Sequence, residues 1–357
     1  MFFRFFLLSI FFVSSQCLAW GSRGHSMITH LAARLLNTSQ YDSKITRPFL
    51  MKEEMLGHLA NIPDVSWKQL PANEVRIMSP THYFQIDWIT SEIEFSNIPR
   101  TIEAVVANNN RNCEKKQDNC IPSLSKLEVL TKIGSAPWRI QQFADKMEDA
   151  LRSIEAFPLS GTDTLQVNLV LNAAGLLSHF IGDLSNPYHV VRDFDGWESG
   201  HGGMHAYFEI DLVDELDLGL IKEVYDEVMK KKPFENILLP MIPADLRKDP
   251  VSISIALAMN SAQNLKKLEQ MDSKFARIKP STQKPTKVEA ERKPAIEVAH
   301  HFKQFIIERL ALSADALAHI WYYTWEKGKS PNLSSYFNLN YTLNHDPVLP
   351  SYLFQKR

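Results

Sequence analysis

The stretch TLQVNLVLNAAGLLSHFIGDLSNPYH, from Thr164 to His189, decides the reading of the fold. From Thr164 to Leu184 it is the most apolar long segment, carrying Leu165, Val167, Leu169, Val170, Leu171, Leu176 and Leu177. That length selects a buried helix over a strand, and Pro187 ends it because proline cannot continue a helical hydrogen-bond ladder. Inside this apolar helix stand His179 and Asp183, four apart and so on one face. An imidazole and a carboxylate buried there without partners would be costly. His189 follows just past the proline. A second pair at the same spacing, His205 and Glu209, lies in Met204-His-Ala-Tyr-Phe-Glu209. One such pair is commonly a solvated face or a salt link. Two pairs with His189 between them point to a metal centre, because imidazole and carboxylate at helical spacing are ligands that suit zinc.

Outward from this stretch the apolar periodicity stays helical. Gly24 to Leu36 has Ile28, Leu31, Ala32 and Leu35 on one face, and Trp138 to Ala156 is amphipathic. Further helices are expected over Gly203–Glu215, Ile221–Met229, Ile253–Met271 and Ile296–Trp325. Asn61–Pro71 reads as irregular. Ser91–Ser135, polar and Asn-rich, reads as a long surface excursion. Ser273–Pro294 is rich in Lys, Pro, Thr and Glu and reads as a mobile loop. With no repeat and no run of alternating strands, the expected fold class is all-α. One multi-helix domain over 20–357 is preferred, since the tail beyond the loop is too small to fold easily alone.

The first residues read as an export signal. Arg4 precedes the apolar run Phe5–Val13, and Leu18-Ala19 offers a small residue at the cut before Trp20. The run is too short to span a bilayer as a helix. A lipoprotein reading through Cys17 is weakened by the bulky Gln16. Residues 1–19 are therefore expected to be removed, and the mature protein to be secreted or periplasmic. In an oxidising compartment Cys113 and Cys120 are expected to pair; the rival, a metal pair, lacks a second Cys pair. Lys+Arg number 39 against 41 Asp+Glu, a net charge of −2. That excludes a protein held to nucleic acid mainly by bulk charge, but not an enzyme gripping one phosphate in a pocket.

The pattern His179-x-x-x-Asp183-x-x-x-Pro187-x-His189 resembles the superfamily that joins fungal single-strand zinc nucleases to bacterial zinc phospholipases C. The opening Trp20-Gly-Ser-Arg-Gly-His25 is similar to the start of the nucleases. The resemblance implies an all-helical enzyme with three zinc ions. By that analogy Asp64, His82, His179 and Asp183 hold one ion. Asp183 bridges to a second, completed by Trp20 and His25, and His189, His205 and Glu209 hold the third. Asp64 could also orient the attacking water. His201 is a rival for His205 that lacks an acid four residues later. Tyr83 and Phe84 are candidates to stack a base, or are core aromatics. His30, His58, His300, His301, His319 and His345 read as structural or surface residues.

Departures from the nuclease pattern matter for substrate. Trp67 followed by Lys68 stands where an Arg is usual. Glu209 and the short His189-to-His205 interval look more like the phospholipases, and the insertion between His82 and His179 is longer than the family implies. The expected function is a phosphate ester hydrolase, with a single-strand nuclease or 3′-nucleotidase favoured. A phospholipase C is the alternative, and a zinc-stabilised binding protein without catalysis is a third. Expected partners are a single-stranded nucleic acid or nucleotide substrate, alternatively phospholipid. No stable protein partner is inferred, and the chain is expected to be a monomer.

Overall fold

The helix Gly161–Ser185 begins where Ser160 and Asp163 cap it reciprocally. Ser160 Oγ accepts from the Asp163 amide, and the Asp163 carboxylate accepts from the Ser160 amide. It ends at Asn186, whose side chain accepts from the Tyr188 amide, ahead of Pro187. Its second half, Ala173 to Ser185, is buried without interruption. The first half is not: Leu165 and Leu169 are 64% and 55% exposed, so the helix is less fully buried than its composition implies. Replacing Ser160 by Ala should destabilise the protein by about 1 kcal/mol, the usual loss for a helix N-cap, read as a lower urea midpoint.

The computed structural model describes residues 20–122, 125–278, 288–341, 343–344 and 346–354. The expected signal segment 1–19, the middle of the 273–294 loop and His345 lie outside the described residues. In chain order the helices are α1 (Gly21–Leu35), α2 (Thr46–Met51), α3 (Glu53–Leu59), α4 (Ile62–Val65), α5 (Ala72–Met78), α6 (Ile102–Glu114) and α7 (Lys126–Ile133). There follow α8 (Ala136–Arg152), α9 (Gly161–Ser185), α10 (Met204–Ala206), α11 (Leu212–Asp214), α12 (Leu220–Lys231), α13 (Pro250–Asp272) and α14 (Ala295–Lys327). The fold is all-α. Among the described residues the only sheet is a pair of two-residue strands, Ala276–Arg277 antiparallel to Glu291–Arg292, inside the segment expected to be a loop.

The centre of the core is α9, wrapped by α1, α3, α8, α13 and α14. The surrounding helices bury apolar faces against it, with Ile28, Leu56, Phe143, Leu257, Leu310 and Trp321 all essentially inaccessible. Such burial, at about 25 cal/mol per Å2 of apolar surface, is what holds a helix carrying an imidazole and a carboxylate in the interior.

Two expectations change. Asn61–Pro71 is not irregular throughout: it holds α4 and the 3-10 turn Trp67–Gln69. Ser91–Ser135 is not a plain excursion either, since it contains α6 and α7, capped by Thr101 and Ser125 and buried through Val105, Val129, Leu130 and Ile133. Asn108, Asn109, Asn110 and Asn112 interrupt the apolar period of α6, and α7 is only eight residues long, so both helices are weak in the sequence. Cys113 and Cys120 form a disulfide, which is consistent with an oxidising environment.

Candidate metal centre

Asp64, His82, His179 and Asp183 come from three separate elements and meet at one point. The single turn α4 presents Asp64, the 3-10 turn Ser79–His82 ends on His82, and α9 presents His179 and Asp183 one turn apart. Nε2 of His179 is 2.9 Å from Nδ1 of His82 and 3.3 Å from Oδ2 of Asp183. Nδ1 of His82 is 3.1 Å from the same oxygen. Oδ1 of Asp64 lies 3.6 Å from His82 and 3.7 Å from His179. A tetrahedral ion with bonds of about 2.0–2.1 Å sets its ligand atoms about 3.3 Å apart, the middle of that range.

A second group shares Asp183. Its other oxygen, Oδ1, faces Nε2 of His25 at 3.5 Å. One carboxylate thus turns an oxygen to each group, as a bridging ligand does. His25 reaches this place because Gly182 has no side chain: a Cβ there would stand 2.6 Å from Nδ1 of His25. The sequence reading passed over Gly182, although it sits between His179 and Asp183 in the motif.

The third group gathers His189, His205 and Glu209, with Oε2 of Glu209 3.6 Å and 3.1 Å from the two Nε2 atoms. The helix carrying the last two widens into a π turn over Tyr207–Asp211, with Glu209 at its middle; such widened turns often mark functional sites. Asn186, also missed in the sequence, donates to the same Oε2 at 2.6 Å. The main-chain nitrogen of Trp20 lies 3.0 Å from Oε2 of Glu209. The sequence expectation grouped that nitrogen with His25 and Asp183, whereas here it faces the third group. Positive φ at Trp20 and Gly21, 42° and 49°, turns the chain towards Glu209 as it enters α1.

The donor set fits divalent cations. All eight side chains are buried. Nδ1 of His179 donates to the Ala60 carbonyl at 2.8 Å and Nδ1 of His189 to the His82 carbonyl at 2.7 Å, which leaves the Nε2 lone pairs facing inward. Nε2 of His25, Nε2 of His189, Oδ1 of Asp183 and Oε1 of Glu209 are buried without a hydrogen bond, a deficit that bound ions would remove. Burial lowers the basicity of His25, His82 and His179, keeping them neutral and able to ligate. Burial, with the Asp64 charge behind it, pushes Asp183 well above the carboxylate range. For Glu209 burial acts upward too, but the His205 and His189 imidazoles outweigh it and the group falls to about 2. Three buried sets of side chains could thus hold a metal ion: His25 with Asp64 and His179, His82 with His179 and Asp183, and His189 with His205 and Glu209, the first two sharing His179.

A cleft of about 590 Å3 opens onto His82, His189 and His205. Tyr83 and Trp88 line it, with Lys68, Lys132 and Arg192 as cations. Phe84 does not reach it. The extended backbone at Tyr83 sends consecutive side chains to opposite sides, so Phe84 is buried against Trp138. Lys68, four residues after Asp64, is ion-paired to it at 2.6 Å. His201 is not a ligand in any of the groups: its Nδ1 contacts Asp272 at 2.7 Å. Arg292 grips the same carboxylate with two nitrogens and donates to the carbonyls of His201 and Gly202. That clamp fixes the chain just before His205. His319 is a buried structural residue against Tyr41, and His30 and His58 pair near the surface with Glu54 and Tyr341.

Two expected results follow from these contacts. Gly182→Ala should displace the His25 ring, remove about one ion per chain and destabilise the protein by about 1–3 kcal/mol, as overpacking does. Metal analysis alongside thermal unfolding reads both. Arg292→Gln should leave the fold intact but weaken the third group, lowering its metal affinity by about 10–100-fold, the usual effect of losing a residue that orients ligands; competition with a chromogenic chelator measures it.

Compared with known proteins, the chain matches no family model and no curated sequence.

Proposed function

We propose that the protein is an exported, zinc-dependent hydrolase of phosphate esters, with a single-strand nuclease or 3′-nucleotidase as the favoured form. The observation that carries this reading is the third group. Two of its side chains, His189 and His205, line an open cleft, so an ion held there would keep a position for water or substrate, as catalytic zinc does. The chemistry supplied by zinc, when bound, is Lewis acidity towards the phosphoryl oxygens and a water that is nucleophilic near neutral pH.

The chain's own residues do the rest. Asp64, ion-paired to Lys68, would serve both as a ligand and as the carboxylate that orients water. Lys68, Lys132 and Arg192 offer charge to the phosphate group, and Tyr83 and Trp88 offer ring faces to a base. Asn186 and Arg292 hold the third group in register. A serine or cysteine nucleophile is not required.

A second reading, a phospholipase C, is favoured by Glu209 and by the apolar part of the same cleft, where Val75 and Phe194 would suit an acyl chain. The test is an activity panel on mature protein: single-stranded DNA, RNA, a 3′-nucleotide and phosphatidylcholine, with and without a chelator. Hydrolysis of the nucleic acids or of the 3′-nucleotide supports the favoured form, and phosphatidylcholine alone supports the second. Zinc-loaded protein inert towards all of them refutes catalysis and leaves a metal-stabilised binding protein.

A further inference from the structure

The insertion between His82 and His179 builds a groove of its own. The cavity, about 1140 Å3, lies between the start of the insertion and α6 and continues to Asn119. It is larger than the roughly 300–1,000 Å3 of an ordinary small-molecule pocket. Groove and metal cleft both reach Arg192, whose guanidinium lies 5.7 Å over the Trp88 ring. That stacked pair forms the ridge between them.

The floor is polar and fixed. Asn108, Asn112 and Asn119 all point their amides at one carbonyl, that of Ile89, at 2.9, 3.4 and 3.3 Å. The Cys113–Cys120 disulfide closes the loop that carries Lys115 and Lys116. A groove fixed in advance gives up little entropy when a ligand settles in it. The lining cations are Arg111, Lys115, Lys116 and Arg192, and the acids are Asp87, Glu92 and Asp118. Asp87 accepts from the Arg192 amide at 2.9 and 3.1 Å and faces the Arg192 guanidinium at 3.9 Å; the four cations still outnumber the three acids. A polar, net-positive trough suits a chain of anions and polar units and does not suit an acyl tail.

We propose that this groove is an extension site that binds the continuing chain of a phosphodiester-linked polymer, single-stranded nucleic acid, while the metal cleft holds the bond to be cut. The inference rests on the phosphoesterase reading above and assigns it a polymeric substrate that crosses the ridge at Arg192.

The experiment compares kcat/KM of mature, zinc-loaded protein on bis(p-nitrophenyl) phosphate, a dinucleotide and a single-stranded oligonucleotide of about a dozen units. Efficiency should rise about tenfold or more from the dinucleotide to the long oligonucleotide, mostly through KM, and the gain should shrink with added salt. The combined Arg111→Glu, Lys115→Glu and Lys116→Glu variant should lose that gain and keep its rate on the small diester, which also reports that it has folded. If the triple variant fails that check, Lys115→Glu alone should show a smaller loss in the same direction. Equal efficiency on both lengths, or equal losses on the small and long substrates, overturns the proposal and leaves the phosphoesterase reading standing. No turnover of any phosphodiester by the wild type removes both. Preference for phosphatidylcholine vesicles over the oligonucleotide overturns the polymeric assignment alone.

Discussion

Mature protein carrying one extra residue ahead of Trp20 should hold one metal ion fewer and be about 100-fold or more less active. The reason lies in the nitrogen. Within a longer chain it is an amide, which can donate to Oε2 of Glu209 across the observed 3.0 Å but has no lone pair for a metal. In a chain that starts at Trp20 it would be an amine, a group able to ligate a metal. Trp20 cannot retreat to make room: its ring is buried, its indole donates to Ser185 at 2.9 Å, and it packs on Phe208. Loss of one preorganised polar group at a phosphoryl or acyl site commonly costs about 100–1,000-fold in rate, and loss of an ion should cost no less. Metal content and phosphodiesterase rate, measured on chains starting at Trp20 and one residue earlier, give the comparison. Equal metal content and rate would show that the terminus plays no part in the centre.

Asp183→Asn should have opposite effects on the metal-loaded and the metal-free protein. Oδ2 of Asp183 faces His82 and His179 while Oδ1 faces His25. An amide keeps the shape but loses the charge and one acceptor. Two ions should be lost or weakly held, and activity should fall by about 1,000-fold or more, since the ligand serves both groups. Without metal the sign reverses. Burial and the Asp64 charge raise the Asp183 carboxyl, so the folded state disfavours its ionised form. The stability this group contributes is present in full below the ordinary carboxylate range and is lost as pH rises through the folded value. At neutral pH the metal-free variant should therefore be more stable than metal-free wild type, by about 1 kcal/mol or more, and less stable once zinc is added. Thermal unfolding of both proteins, chelated and loaded, tests the crossing. A variant less stable in both states would make Asp183 a structural residue alone.

Several particulars were legible before any coordinates. The body and C-terminal end of α9 follow from an apolar run too long for a strand and from Pro187; its start at Gly161, three residues before the run, comes from the Ser160–Asp163 cap. The ligand pairs on α9 and on the 204–214 helix follow from the fourfold spacing that puts both side chains on one face. The Cys113–Cys120 bond follows from two cysteines close together in a chain whose first residues read as an export signal. Other particulars were hidden for definite reasons. Asn residues dilute the apolar period of α6, and α7 spans only eight residues, so the insertion reads as a loop. Tyr83 and Phe84 look equivalent in sequence, and only the extended backbone between them sends one to the cleft and the other to the core. Lys68 resembles any surface lysine until α4 brings Asp64 to it. Gly182 carries no chemistry of its own, and its value appears when His25 is found in the space it leaves.

Local covalent geometry therefore fixed the helices, and with them the paired ligands within each one: spacing along a helix is a property of the backbone, the same in any surroundings. It did not fix how these side chains gather into groups able to hold a metal. The meeting of Asp64 and His82 with α9, the turning of the Trp20 nitrogen to Glu209, and the ridge at Arg192 depend on distances between residues far apart along the chain. Those distances are set by how helices bury their apolar faces against one another, and only the assembled core decides them.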